Sequence, residues 1–234
     1  MSSVAEVIAA LGAVRDPELD DDIVELGFVA SVQTAGDAVS VRLRLPTYFC
    51  APNFAYLMAA DARDAVSALP GVATVDIALD EHHASDEINA GVAAGANFAQ
   101  TFEGLADGEL DELRTTFRRK AFLARQDRLA RGLLAAGRDP QDLAAMRLCD
   151  LEPSAEVELY RSRRAELGFD TAPTSALLLD GRGRPATPET VADFLRRGRT
   201  TAVSIEGNAG FCRGLLATRY PGHSLEQTME RSAS

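Results

Sequence analysis

Leu45-Pro46-Thr47-Tyr48-Phe49-Cys50-Ala51-Pro52-Asn53 sets a thiol on a short loop between two stretches of different periodicity. Upstream, Ala38 to Leu45 puts Val39, Val41, Leu43 and Leu45 on one face and Ser40, Arg42 and Arg44 on the other, the period-two pattern of a half-buried strand. Downstream, Phe54, Leu57, Met58, Ala65, Val66 and Leu69 recur at helical spacing. Pro52 suits the first helical turn, where its missing N–H would have had no partner. Cys50 is therefore predicted at the mouth of a helix. Free backbone N–H groups and the positive end of the helix dipole there favour a thiolate, the form that attacks electrophiles and binds soft metals. A lone cysteine is more commonly a small buried hydrophobe, so the flanking segments must decide.

Working outward, Ser3-Val4-Ala5-Glu6 has the form of a capping box, and Val4, Ile8, Leu11 and Val14 follow on one face, predicting a helix from Ser3 to Val14. Arg15-Asp16-Pro17-Glu18 breaks it. Asp20 to Asp22 suit a solvated turn whose side chains cap the next helical turn. Phe28 to Thr34 reads as a strand joined through Ala35-Gly36-Asp37 to the strand ending at Leu45. Pro70-Gly71 turns the chain into a third strand, with Val75, Ile77 and Leu79 alternating against Thr74, Asp76 and Ala78. The order α-β-β-α-β predicts a small sheet covered by two helices.

Four separated motifs, Asp16-Pro17-Glu18-Leu19, Asp22 to Val29, Thr47 with Cys50 and Pro52, and Leu69-Pro70-Gly71-Val72, fall in the order of a known family. Residues 1–80 resemble the metal–sulfur cluster biosynthetic domain of the SufT/PaaD type, an iron–sulfur cluster assembly domain. In that family a Pro directly follows the Cys, whereas here Ala51 intervenes. The resemblance implies Cys50 as metal ligand in a pocket shaped by Asp16, Glu18, Thr47 and Pro52.

Beyond residue 80 the expected organisation is a solvated linker with a short helix over 81–105, a mostly helical region with short strands over 106–227, and a frayed tail over 228–234. The whole is an α+β chain. Glu81, His82, His83, Asp86 and Glu87 are dense in ligating side chains, but adjacent His residues diverge on a regular element, which favours a linker over a metal site. A long helix is predicted from Asp107 to Ala136, with Arg118, Arg119, Arg125 and Arg128 as a basic cluster suited to an acidic partner surface. Asp139 caps the next helix. Further on, Val157, Tyr160, Arg164 and Leu167 predict a helix closed by Gly168, and Thr187-Pro188-Glu189 opens one that Gly198 ends. Thr201 to Ile205 reads as a strand running through Gly207-Asn208-Ala209-Gly210 into a helix at Phe211. That is the layout of a phosphate cradle without the P-loop Lys-Ser/Thr or a G-x-G-x-x-G. Cys212 with His223 lacks an orienting acid and reads as structural.

The 234 residues, 46% of them hydrophobic, can fill a core. A net charge of -11 argues against a nucleic-acid or anionic-membrane binder. The chain shows neither a charged-then-apolar leader nor an apolar run near eighteen residues, so a cytoplasmic location is expected. One Lys among abundant Arg suggests a GC-rich bacterial source. Cys50, Cys149 and Cys212 have no zinc-ligand spacing, so a cluster or iron would be held transiently, shared between two copies of the chain, or completed by other ligands. The resulting expectation is a non-catalytic maturation factor delivering iron–sulfur clusters or iron to a client apo-metalloenzyme, in concert with other assembly proteins. The alternative is an assembly chaperone for a bacterial multicomponent diiron monooxygenase that binds no metal itself. A thiol enzyme using Cys50 or Cys212 is weaker, because no His before Glu81 could serve as its base.

Overall fold

A computed structural model describes residues 2–102 and 109–222. The expected helix start at Asp107, His223 and the tail 228–234 lie outside the described residues. The chain divides into two compact units, one formed by Met1–Leu110 with Asn208–Ser234, the other by Asp111–Gly207. The contacts therefore divide neither at residue 80 nor at residue 105.

The first unit is α+β, as the alternation in the sequence requires. Helix α1 (Val4–Leu11) opens with the expected capping box between Ser3 and Glu6. Strands β1 (Val29–Ala35) and β2 (Ala38–Arg44) form an antiparallel hairpin closed by Gly36-Asp37, with Gly36 at φ 68 in the left-handed region that such a turn needs. Helix α2 (Pro52–Ser67) then carries the chain to β3 (Thr74–Asp80), which pairs parallel to β2, giving the order β1-β2-β3. Val32, Val39, Val41, Leu43, Ile77 and Leu79 meet Val7, Leu11, Met58, Ala62 and Val66 in one buried core.

Two departures from the sequence reading complete that core. The stretch after β3 is not a solvated linker: α3 (Ser85–Ala94) buries Ile88 and Val92 in the same cluster, and Asn89 hydrogen-bonds both the N–H and the C=O of Leu79. The short α4 (Phe98–Thr101) follows it. The predicted strand Thr201–Ile205 with its glycine loop is instead the interior of one helix, α8 (Val191–Arg219), whose residues from Asn208 onward belong to the first unit. Ala209 and Leu216 on that helix lie in the first unit's core. Added side chains at Gly207, Gly210 and Gly214 would meet nothing within 4 Å, so no close approach demands these glycines.

The second unit contains α5 (Glu109–Ala135) from Asp111 onward, α6 (Pro140–Ala145) capped by Asp139 as expected, a 3-10 turn at Leu148–Asp150, α7 (Ala155–Glu166), and α8 up to Gly207. The short strands expected here are isolated bridges, Arg147 with Ala176 and Leu179 with Pro185. Its core joins Phe122, Leu143, Leu148, Tyr160, Leu177 and Leu178. No described helix is long and apolar enough to cross a membrane.

Candidate functional site

The chain leaves β2 at Arg44, buries Leu45 and Pro46, and then exposes Tyr48 and Phe49 before turning into α2. Thr47 shapes the turn. Its Oγ1 accepts a hydrogen bond from the Phe49 N–H at 3.2 Å and lies 3.4 Å from Cys50 Sγ. Ala51 is the N-cap, in extended conformation and without a capping side chain, and Pro52 occupies the first helical turn. The inserted alanine therefore leaves Cys50 immediately ahead of the cap, half-buried at the helix mouth.

His82 fixes this loop from behind, a role the sequence did not announce. Only 3% exposed, it accepts the Ala84 N–H on Nδ1 at 3.2 Å, so Nε2 carries the proton and donates to the Cys50 carbonyl at 2.7 Å. Burial, opposed by this bond to Cys50, holds its pKa below the usual imidazole value, in keeping with the neutral ring. The ring thus faces the backbone of Cys50. The expected divergence of the two histidines fails: the His82 and His83 rings lie 4.5 Å apart. His83 stacks on Phe49 at 5.8 Å, and its N–H bonds the Tyr48 carbonyl. Phe49, 77% exposed, is the loop's outermost aromatic side chain.

The acidic turn splits into two kinds of residue. Asp22 caps as expected, accepting from the N–H groups of Val24 and Glu25. Asp16 is only 7% exposed, and its Oδ1 accepts from Glu18 and Leu19 N–H at 2.8 and 2.9 Å. Burial pushes its pKa up to about 6 against the pull of those two bonds. Asp20, also buried, sits at φ 56, a strained position for a side chain other than glycine.

The last part of α8 is the element the sequence reading missed. Asn208 donates to Glu18 at 3.1 Å, and Arg213 bonds Asp21 at 3.2 Å. Leu216 lies against Gly27, where an added Cβ would stand 3.1 Å from Leu216 Cδ2. Arg219 donates to the carbonyls of Leu45 and Glu81, at 3.1 and 2.7 Å, and pairs with the Glu81 carboxylate, which also accepts from the Tyr220 hydroxyl at 2.9 Å. Glu81 has φ 51, so the strained exit of β3 is held by the end of this helix.

Cys212 shares the inner face of the helix with Ala209 and Leu216. It is half-buried and in the electrostatic field of Asp16, Cys50 and Glu18. Burial first, and then those three groups, push its thiol up to about 11. A helical period was available in the sequence, since Gly198, Ala202, Ile205, Ala209 and Leu216 are all buried.

Asp16, Glu18, Thr47 and Cys50 thus fall in one unit, and Cys212 joins them, whereas Cys149 is exposed in the other unit. Among the described residues no group of three or more His, Cys, Asp or Glu is arranged to hold a metal ion. The arginines chosen as a partner surface are unalike. Arg125 is 4% exposed and paired with Glu156 at 3.2 Å, which removes it from any surface. Arg128 also reaches Glu156, Arg118 lies 3.8 Å from Glu166, and Arg119 is exposed.

No curated protein and no solved structure matches the chain. A family match does exist and spans α1 through most of β3, the Cys50 loop included. Residues 4–77 match the model of the iron–sulfur cluster assembly protein family, a match that supports a role in cluster assembly.

Proposed function

We propose that the protein is a non-catalytic maturation factor that carries iron or an iron–sulfur cluster on Cys50 and passes it to a client apo-metalloenzyme. The observation behind this reading is the Cys50 loop, which lies inside the family-matched segment. Its thiol is half-buried at a helix mouth, held by Thr47 at its side chain and by His82 at its carbonyl. A cargo held by so few protein ligands exchanges readily, which suits delivery better than storage. Delivery to the client is cytoplasmic in this reading. The exposed Tyr48 and Phe49 beside the thiol, together with Arg119, offer contacts for the client.

The full chain supplied anaerobically with ferrous iron and sulfide is expected to develop labile sulfur-to-iron absorption below one cluster per chain. Cys50→Ser abolishes it and Cys149→Ser leaves it intact. Absence of any uptake, with client activation preserved in the same variants, would overturn the carrier role in favour of the metal-free monooxygenase chaperone.

A further inference from the structure

We infer that residues 208–220, the end of α8 and the residue after it, form a strap that opens from the first unit on its own, and that Arg219 is its latch, a positioning residue for the Cys50 loop. The strap is weakly built. Gly210 and Gly214 lie in its helical interior, where glycine is the poorest helix former after proline, and an added Cβ at either would meet nothing within 4 Å. No packing requirement offsets that weakness. Within 208–220 only Ala209 and Leu216 are buried, whereas α2 buries Tyr56, Leu57, Met58, Val66 and three alanines. Further attachment comes from side-chain bonds at the surface, Asn208 to Glu18 and Arg213 to Asp21, which salt screens. Few buried apolar groups and exposed polar ties mark a segment that opens before the unit as a whole unfolds.

Arg219 stands where that opening reaches the thiol. Its Nη1 donates to the carbonyl of Leu45, at the start of the Cys50 loop, and its Nη2 donates to the Glu81 carbonyl at 2.7 Å and pairs with the Glu81 carboxylate at 3.1 Å. Glu81 is held at φ 51, and the next residue, His82, donates to the Cys50 carbonyl at 2.7 Å. One guanidinium thus fixes the loop at its entry and at the segment that supports it from behind. When the strap melts, Glu81 is free to leave the left-handed region, His82 moves with it, and the Cys50 carbonyl loses its donor. The loop then has a held and a loosened setting. On the reading of Cys50 as cargo ligand, the held setting retains the cargo and the loosened one hands it over; the opening itself needs no cargo.

The test uses the reduced, metal-free full chain and reads amide hydrogen exchange by mass spectrometry together with iodoacetamide alkylation of each cysteine. Cys212, half-buried on the inner face of the strap, reports its opening, Cys50 reports the loop, and the exposed Cys149 is the control. In the wild-type chain residues 208–220 should exchange faster than α2, and faster still at high salt. Arg219→Gln is expected to speed alkylation of Cys50 and Cys212 about tenfold and to leave Cys149 unchanged. Arg219→Lys, which keeps the charge but not the fork, should fall between. Gly210→Ala and Gly214→Ala act in the other direction, each slowing exchange of the strap about fourfold and slowing alkylation of both thiols. Exchange of 208–220 no faster than α2, or an Arg219→Gln chain in which α2 speeds up as much as the strap, would show that the strap is no separate unit and overturn the inference. Faster alkylation of Cys212 without any change at Cys50 would remove Arg219 as a positioning residue. If these rates come out as expected but the chain takes up no iron and sulfide, the carrier reading falls and the strap stands.

Discussion

The two units solve the problem of a buried backbone in different ways. In the first, three strands pair with one another and Asn89 covers the free edge at Leu79, so the extended backbone that crosses its core is satisfied largely by sheet. In the second, the described residues hold no strand beyond isolated bridges, yet the segment Ser175–Leu179 runs through the interior. Side chains take the place of a partner strand. Gln126 accepts the Leu179 N–H and donates to its C=O, Tyr160 donates to the Leu177 carbonyl, and Arg164, 0% exposed, donates to the Ala176 carbonyl and Ser175 Oγ. A buried N–H or C=O must find a partner. Where no sheet supplies one, the sequence must place long polar side chains in the core, and that unit becomes sensitive to single polar substitutions.

The largest expected effect strikes the first unit from outside its family-matched segment. A fragment of residues 1–80 lacks Ile88, Val92, Ala209 and Leu216. Large apolar residues contribute about 1.5–3 kcal/mol each, against a total stability of about 5–15 kcal/mol. The fragment should show no cooperative unfolding transition by circular dichroism; a sharp transition would mean that the sheet and two helices close their own core. Next, Arg164→Ala should cost about 3–5 kcal/mol in denaturant unfolding, because it strands the Ala176 carbonyl and opens a cavity. If Arg164→Met costs as much as Arg164→Ala, the lost hydrogen bonds rather than the cavity account for the damage.

His82→Ala strands the Cys50 carbonyl and the Ala84 N–H and should cost about 1–3 kcal/mol. It should also speed alkylation of Cys50, a readout that loss of packing elsewhere would leave unchanged. Asp16→Asn is the smallest effect and carries the opposite sign. The folded pKa near 6 exceeds the ordinary 3.8, so the folded state holds its proton more tightly and stability falls as pH rises from about 4 to about 6. The charged form at neutral pH therefore costs on the order of 3 kcal/mol, part of which the weaker amide acceptor gives back. Asp16→Asn should be more stable than wild type at pH 8 by on the order of 1 kcal/mol. Below pH 4 that advantage should vanish; a variant less stable at pH 8 would mean that the two N–H bonds need a full charge.

How much was legible in the sequence follows from the range of each interaction. Strand β2, the capping box at Ser3, the hairpin at Gly36, the start of α2 and the Asp139 cap rest on residues within a few positions of one another, and the structure has them. Arg164 falls on the apolar stripe of α7 with Val157 and Tyr160, as the spacing requires, though its partner is a carbonyl twelve residues away. Thr201–Ile205 misled because β-branched residues and following glycines imitate a strand and loop locally, while the contacts that make it helical lie far away in the chain. His82 was hidden for a similar reason: a histidine beside acidic residues looks solvated until its partner, the Cys50 carbonyl, is known.

The distance along the chain between the Cys50 loop and the last part of α8, which holds Leu45, also sets an order of events during synthesis. At about 5–20 residues per second, roughly 8–30 s separate the translation of Cys50 from that of Cys212. Through that interval the acidic turn lacks its Asn208 and Arg213 partners, and a chain broken off early never acquires them. A chain that stops before residue 208 therefore carries the whole family-matched segment without the helix end that ties Leu45 and Glu81 together.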